Sequence, residues 1–188
     1  MLSSAFADDP LMTSLWPGQT RRHQILPRYF ETALRYDHVP LGGVHALIEE
    51  GIISAVANWD PPGQAPGLLA SVLSVPHHLI EFRQHIVHAA RTRALLEQHR
   101  PDTAHWYLAH LAVAPTRQGA GLGSALLDER LSLCDERSEA AFLVCTRART
   151  LDFYQSRGFQ ITAPITLPDR HGDTGPTVYG MVRQPQAK

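Results

Sequence analysis

Three glycines at alternate positions, Gly119, Gly121 and Gly123, stand where the apolar strand pattern Leu111-Ala112-Val113 breaks at Pro115 and gives way to the amphipathic run Ala125 to Leu133. With so few side chains in the way, the backbone of Gln118-Gly119-Ala120-Gly121-Leu122-Gly123-Ser124 can come close to an anion. The opening helix adds amides without intrahelical partners and the positive end of its dipole. Such a turn binds phosphate. A P-loop would need a lysine before its Ser or Thr, and Leu122-Gly123-Ser124 has none. A dinucleotide fingerprint needs G-x-G-x-x-G, whereas these glycines run G-x-G-x-G with no repeated βαβ pattern behind them. An ordinary glycine-rich strand-to-helix turn remains the plain alternative for the glycines taken alone.

A second segment bears on that choice. Ala141-Phe-Leu-Val-Cys145 is a short run of strand formers, and Thr150-Leu-Asp-Phe-Tyr-Gln-Ser-Arg-Gly158-Phe159 predicts a short helix ended by glycine. Thr150 is placed to cap it, Asp152 suits its first turn, and Gly158 suits the left-handed position after it. Together, Gln118-x-x-Gly121-x-Gly123 behind Val113-x-Pro115 and Phe153-Tyr154-x-x-x-Gly158-Phe159 resemble the two signatures of the GNAT superfamily of acyl-CoA N-acyltransferases, in the right order. Nearly the whole chain follows that order. The nearest likeness is the puromycin N-acetyltransferase-like branch, through Ala5-Phe-Ala-Asp8, His99-Arg-Pro101, Trp106-Tyr-Leu108, Gly119 to Ala125, Phe153-Tyr154 and Met181-x-Arg183-x-Pro185.

The resemblance implies acetyl-CoA as acyl donor, with its pyrophosphate on the amides from Gln118 to Ser124. It implies a pantetheine arm against the main chain of Leu111, Ala112 and Val113, where the central strand splays from its neighbour. Thr150 stands where the branch commonly has Asn, which puts its contact to the cofactor arm in question. Acyl transfer to an amine needs a neutral amine, oxyanion stabilisation and a proton for the departing thiolate. Tyr154 is the expected general acid, since a phenol is neutral at pH 7 and can protonate sulfur; packing its helix is the alternative role.

The base has no carboxylate candidate on the central strand, because no acid lies between Asp102 and Asp128. His105, Tyr107 and His110 are the polar residues there, and His110, nearest the splay, is the expected proton acceptor, with a hydrogen-bonded packing role as the equal alternative. His78, Glu81, His85 and His88 fall on one predicted helical stripe. Zinc would suit three histidines and an acid, but no H-E-x-x-H is present, and a solvated or groove-lining stripe is the plainer reading. No metal is expected. Trp59 and Trp106 read as core or groove aromatics.

At 188 residues and 44% hydrophobic content, the chain predicts one domain, residues 1–188, with a substantial core. Seventeen basic residues against eighteen acidic ones leave a net charge of −1, which predicts neither nucleic acid nor an anionic membrane as partner. Sixteen of the seventeen are arginine and the other is Lys188, so chemistry needing an internal lysine is excluded. Cys134 and Cys145 are expected as reduced core thiols. A basic leader and a membrane-length apolar run are both missing from the sequence, and a cytoplasmic location is expected.

The fold class expected is α+β (α/β), a GNAT fold whose mixed central sheet splays between central strands and is flanked by helices. Residues 2 to 7 predict a helix stopped near Asp8-Asp9-Pro10, and Leu26 to Leu34 a second. Gly43 to Trp59 predicts a hairpin about Glu50-Gly51, and residues 67 to 99 two helices broken near Val75-Pro76. His105 to Val113 predicts the central strand, Gly121 to about Arg137 a helix, residues 140 to 146 a strand, and Phe159 to Pro164 with Thr177 to Arg183 the last two strands around a polar loop from Pro168 to Pro176. The first strand usual in the family is missing. Either the start lies upstream or the sheet has an open edge, which could pair in a homodimer. The function expected is N-acetylation of a small-molecule amine; a protein N-acetyltransferase and a CoA-binding module without catalysis are the alternatives.

Overall fold

A computed structural model describes residues 1–65, 67–169 and 174–186. Lys188 and the middle of the loop expected between Pro168 and Pro176 lie outside the described residues. Short helices α1 (Leu2–Ala5) and α2 (Pro10–Leu15) lead into α3 (Gln19–Thr32), which continues as a π-helical turn, Ala33–His38. Strands β1 (Val44–Glu49) and β2 (Ile52–Asp60) form the hairpin, closed at Glu50 and Gly51 by left-handed φ values of 52° and 78°. Helices α4 (Leu68–Phe82) and α5 (Ile86–Glu97) precede β3 (His105–Val113), α6 (Leu122–Glu136), β4 (Ala140–Cys145), α7 (Leu151–Gln155), β5 (Gln160–Pro168) and β6 (Thr174–Arg183).

Among the described residues six strands make one mixed sheet in the order β1-β2-β3-β4-β6-β5, in which β3 and β4 pair in parallel and the other neighbours antiparallel. Among the described residues no strand precedes Val44 and β1 pairs with β2 alone, so β1 is an edge, interrupted by a bulge between Leu47 and Ile48. On one face α6 buries Leu126, Leu127 and Leu131 against Trp59, Leu108 and Met181. On the other, Leu2, Met12, Trp16, Leu26 and Phe30 of the N-terminal helices cover Val56 and Ala112. Both faces are therefore dry, which matches the near-continuous apolar reading of β2 and β4. Behind α6, Arg183 makes two hydrogen bonds to the Asp135 carboxylate at 2.6 and 2.7 Å, and so fixes the end of β6.

Three expectations are corrected. The helix at residues 2 to 7 ends at Ala5, and Asp9-Pro10 starts a helix where a stop was expected: the Asp9 carboxylate accepts from the amides of Leu11 (2.9 Å) and Met12 (3.4 Å) as an N-cap, with proline at the first helical position. Helix α4 runs through Pro76 and breaks at Arg83, whose φ is 43°. Burial of Ser74, Glu81 and Phe82 holds it across the proline. The last two strands are longer than expected, β5 reaching Pro168 and β6 starting at Thr174. Among the described residues no helix is long and apolar enough to cross a membrane.

Candidate functional site

Register across the sheet opens a gap. β3 pairs with β4 only from His105↔Ala140 to Leu108↔Leu143, while its other edge stays paired with β2 as far as Ala55↔Val113. The Ala114 amide donates to the Ser54 carbonyl at 2.8 Å. Because main-chain groups alternate between strand edges, Ala112 shares the β2 side with Ala114, and Leu111 and Val113 present theirs toward β4, beyond the point where pairing has stopped. Leu111 and Val113 thus turn main-chain groups toward the gap. Ala112 instead buries its side chain against α1 and α3.

The gap runs into the glycine turn. A 3-10 turn, Pro115–Arg117, is held to β1 by the Arg117 guanidinium, whose Nε donates to Glu49 at 3.0 Å and whose Nη2 contacts the other carboxylate oxygen. Gly121, at φ 76°, is the residue before α6, and the first bond into the helix is Ala125 N–H to the Gly121 carbonyl at 2.9 Å. The amides of Leu122, Gly123 and Ser124 therefore have no intrahelical acceptor. Among the described residues no side chain caps the helix. A Cβ at Gly121 would meet no atom within 4 Å, so the approach above it is open, whereas a Cβ at Gly123 would lie 3.2 Å from Val113, where helix meets strand. These features fit a pyrophosphate.

Tyr154, on α7, stands at the end of β4. Its ring packs edge-on to Phe153 and Phe159 at centroid distances of 5.1 and 6.0 Å. Burial first, then the neighbouring Cys145 and Asp9, raises the phenol's pKa well above its ordinary value, so it keeps its proton. Asp9 is fully buried; beyond its capping bonds it accepts from the Thr146 hydroxyl and lies 3.8 Å from Arg147. It ties α2 to the β4 terminus beside Tyr154. Thr150 does not cap α7: its hydroxyl turns back to the Arg147 carbonyl (2.9 Å) and to the Cys145 sulfur (3.2 Å). Cys134 and Cys145 are both free and buried.

His110 faces the N-terminal helices and lies among Phe6, Phe30 and His38 at ring distances of 5.5, 5.1 and 5.4 Å. Burial, helped by His38, pushes its pKa down to about 3, so the imidazole is neutral near pH 7 and a weak proton acceptor. Its Nδ1 lies 3.4 Å from the Asn58 amide nitrogen. The unfolded chain takes up this proton near pH 6.5 and the folded chain does not, so stability is expected to fall as pH drops from 6.5 toward 3. Urea unfolding at stepped pH checks this; a His110→Gln variant should lose less stability over the same interval. His105 bonds the Thr103 carbonyl at 2.7 Å, and Tyr107 stacks on Phe142 under the Arg100 guanidinium.

The break at Arg83 splits the histidine stripe. His78 bonds Glu81 at 3.1 Å on α4, and His88, on α5, bonds Ser14 at 3.2 Å. Among the described residues no group of three His, Cys, Asp or Glu could hold a metal ion. Trp59 is a core residue, and Trp106 donates to Glu139 at 2.6 Å with Arg130 over its ring. Between α3, its π-helical extension and α4 lies a cavity of about 300 Å³, whose lining includes Glu31, Arg35, Tyr36, His77 and the buried Glu81. Hydrogen bonds from Thr32 (2.6 Å) and His78 satisfy that carboxylate; burial alone would raise its pKa, but the bonds bring it below the usual value.

Sequence reasoning missed Asp9, Asn58, His38 and Asp60. Asp9-Pro10 carried a readable signal, that of a cap followed by an N1 proline. The other three meet only through the pairing of β2 with β3 and the π-helical turn.

Comparison with known proteins now adds to this geometry. Residues 76–161 match the acetyltransferase (GNAT) domain family. A Corynebacterium glutamicum protein described as "histone acetyltransferase HPA2 and related acetyltransferase" is similar over 100% of this chain and 91% of its own, with a TM-score of 0.73 and 25% identity. Arylalkylamine N-acetyltransferase 2 from Aedes aegypti is similar over 96% of this chain and 89% of its own, with a TM-score of 0.60 and 16% identity. An agmatine N-acetyltransferase reaches 0.55 at 18% identity, over 95% and 88%. These last two share the fold.

Proposed function

From the premise that this chain carries a GNAT acetyltransferase domain and is an acyl-CoA-dependent acetyltransferase, we propose that it transfers an acetyl group from acetyl-CoA to the amine of a small molecule, by direct attack in a ternary complex. The observation that carries the reading is the stretch of β3 beyond Leu108, where Leu111 and Val113 turn unpaired main-chain groups toward a gap that ends at the glycine turn. That stretch would hold the pantetheine arm as an added strand holds a sheet edge, while the amides from Gln118 to Ser124 hold the pyrophosphate. Tyr154 protonates the departing sulfur, and an amide of β3 donates to the thioester oxygen.

A small acceptor is supported by the open cleft between α3 and α4, whose volume of about 300 Å³ suits a metabolite-sized ligand. We further propose membership of the puromycin N-acetyltransferase-like branch, on the motifs quoted above. A panel of amines and N-terminal peptides, followed by release of free CoA thiol, tests the reading. Turnover of at least one small amine, with product mass raised by one acetyl group, is the expected result. Turnover of peptides alone would replace it with protein N-acetylation, which the description of the Corynebacterium protein favours.

A further inference from the structure

Burial leaves His110 a weak proton acceptor without a carboxylate partner, and a second imidazole, which has one, lies against its ring. The π-helical turn is closed by a bond from the Val39 amide to the Leu34 carbonyl at 2.9 Å, and this wide turn puts His38 on the buried side, five residues after buried Ala33. There His38 Nδ1 lies 2.8 Å from an Asp60 carboxylate oxygen. A carboxylate only accepts, so Nδ1 carries a hydrogen, and in the neutral ring the lone pair is on Nε2.

This arrangement, a base oriented by a carboxylate behind it, is the one that histidine proton acceptors use. His38 is 5% exposed, and the side chain of Asp60 is 26% exposed, so the pair runs from the buried cluster toward solvent. The same cluster holds another group without a role. The Oδ1 of Asn58, a residue with no exposed surface, has no hydrogen-bond partner among the described residues. Asn58 pairs with His110 across β2 and β3, one residue before Leu111, because the register shift leaves Ala109 as an extra residue between His110↔Asn58 and Leu108↔Trp59. A buried acceptor with nothing to accept calls for a donor from outside the chain.

We propose that His38, held by Asp60, is the base that deprotonates the acceptor's ammonium group, and that Asn58 Oδ1 accepts one of the remaining N–H bonds. The inference rests on the acetyl-transfer reading. The protons balance as follows. His38 Nε2 takes one proton from R–NH3+, and the free amine attacks the thioester carbon to form the C–N bond. Collapse breaks the C–S bond as Tyr154 O–H gives its proton to sulfur. The second nitrogen proton restores the phenol, and the proton on His38 leaves past Asp60 to water. His38 is thus a catalytic residue and Asp60 a positioning residue.

The test compares two acceptors of the wild-type enzyme, one an ammonium ion at the assay pH and one a weakly basic amine already neutral there. His38→Ala is expected to lower kcat/KM about 30-fold for the first and less than threefold for the second, with acetyl-CoA affinity unchanged and activity restored by added imidazole. Asp60→Asn should show the same dependence on acceptor with a smaller loss, and it supplies the answer if His38→Ala does not fold. Equal losses for both acceptors without imidazole rescue, or no loss for either, would overturn the proposal. Should the panel find only peptide acceptors, the small-molecule reading fails while this test stands, because a peptide amine must lose the same proton.

Discussion

Replacing Tyr154 by phenylalanine is expected to lower kcat roughly 100-fold, about 2.7 kcal/mol of barrier, while leaving acetyl-CoA affinity and thermal stability close to wild type. Among the described residues the hydroxyl makes no hydrogen bond, whereas the ring packs on Phe153 and Phe159, contacts that phenylalanine keeps. What the substitution removes is a proton. Burial beside Cys145 and Asp9 raises the phenol's pKa, so across physiological pH Tyr154 is always in the acid form and no alkaline limb in that range should come from it. A thiolate leaving group needs that proton only as the C–S bond breaks, so the loss should fall on kcat and spare KM. Substrates with a more acidic thiol, which leave without help, should recover much of the lost rate in the variant. Steady-state kinetics with acetyl-CoA and with an acetyl thioester of an acidic thiol measure both effects; wild-type kcat with acetyl-CoA would reduce Tyr154 to a packing residue.

The parts of this site that are local in sequence are legible from the sequence alone. The apolar run from His105 to Val113, the glycines, and the helix to Glu136 follow one another without long-range help, and the structure places each where its pattern does. Gly158, at φ 85°, sits in the left-handed position that its place after a short helix demands. Where neighbours in space compete with neighbours in sequence, local reasoning went astray. Pro76 is a helix breaker by propensity, but α4 is anchored across it by Glu81 and Phe82, and the break falls at Arg83, which carries no such signal. Thr150 is a good capping type, yet its hydroxyl bonds Cys145 and the Arg147 carbonyl and does not cap α7. His110 was visible as a histidine, but its enclosure by Phe6, Phe30 and His38 depends on helices more than seventy residues earlier. The Asp60 to His38 bond joins a strand end to a π-helical turn, and no periodicity encodes it.

The glycine turn allows the other large effect to be assigned to one chemical group of the donor. Gly121 has φ 76°, a conformation in which a β-branched residue is strained, and the space above it is open to a phosphate approaching the amides of Leu122, Gly123 and Ser124. Gly121→Val should therefore weaken acetyl-CoA binding roughly 100-fold through two causes, a displaced turn and a blocked approach. Affinity for CoA alone would not separate the pyrophosphate from the rest of the cofactor. Acetyl-pantetheine does, because it keeps the arm that pairs with Leu111 and Val113 and lacks the phosphates. In the wild type, the pyrophosphate should make acetyl-CoA bind much more tightly than acetyl-pantetheine. In Gly121→Val that advantage should nearly vanish, with acetyl-pantetheine affinity changed little and the thermal transition still cooperative. Calorimetric titration of both ligands into both proteins gives the four affinities. An undiminished preference for acetyl-CoA in a folded Gly121→Val variant would place the pyrophosphate away from this turn, and with it would fall the assignment of Gln118 to Ser124 as its cradle.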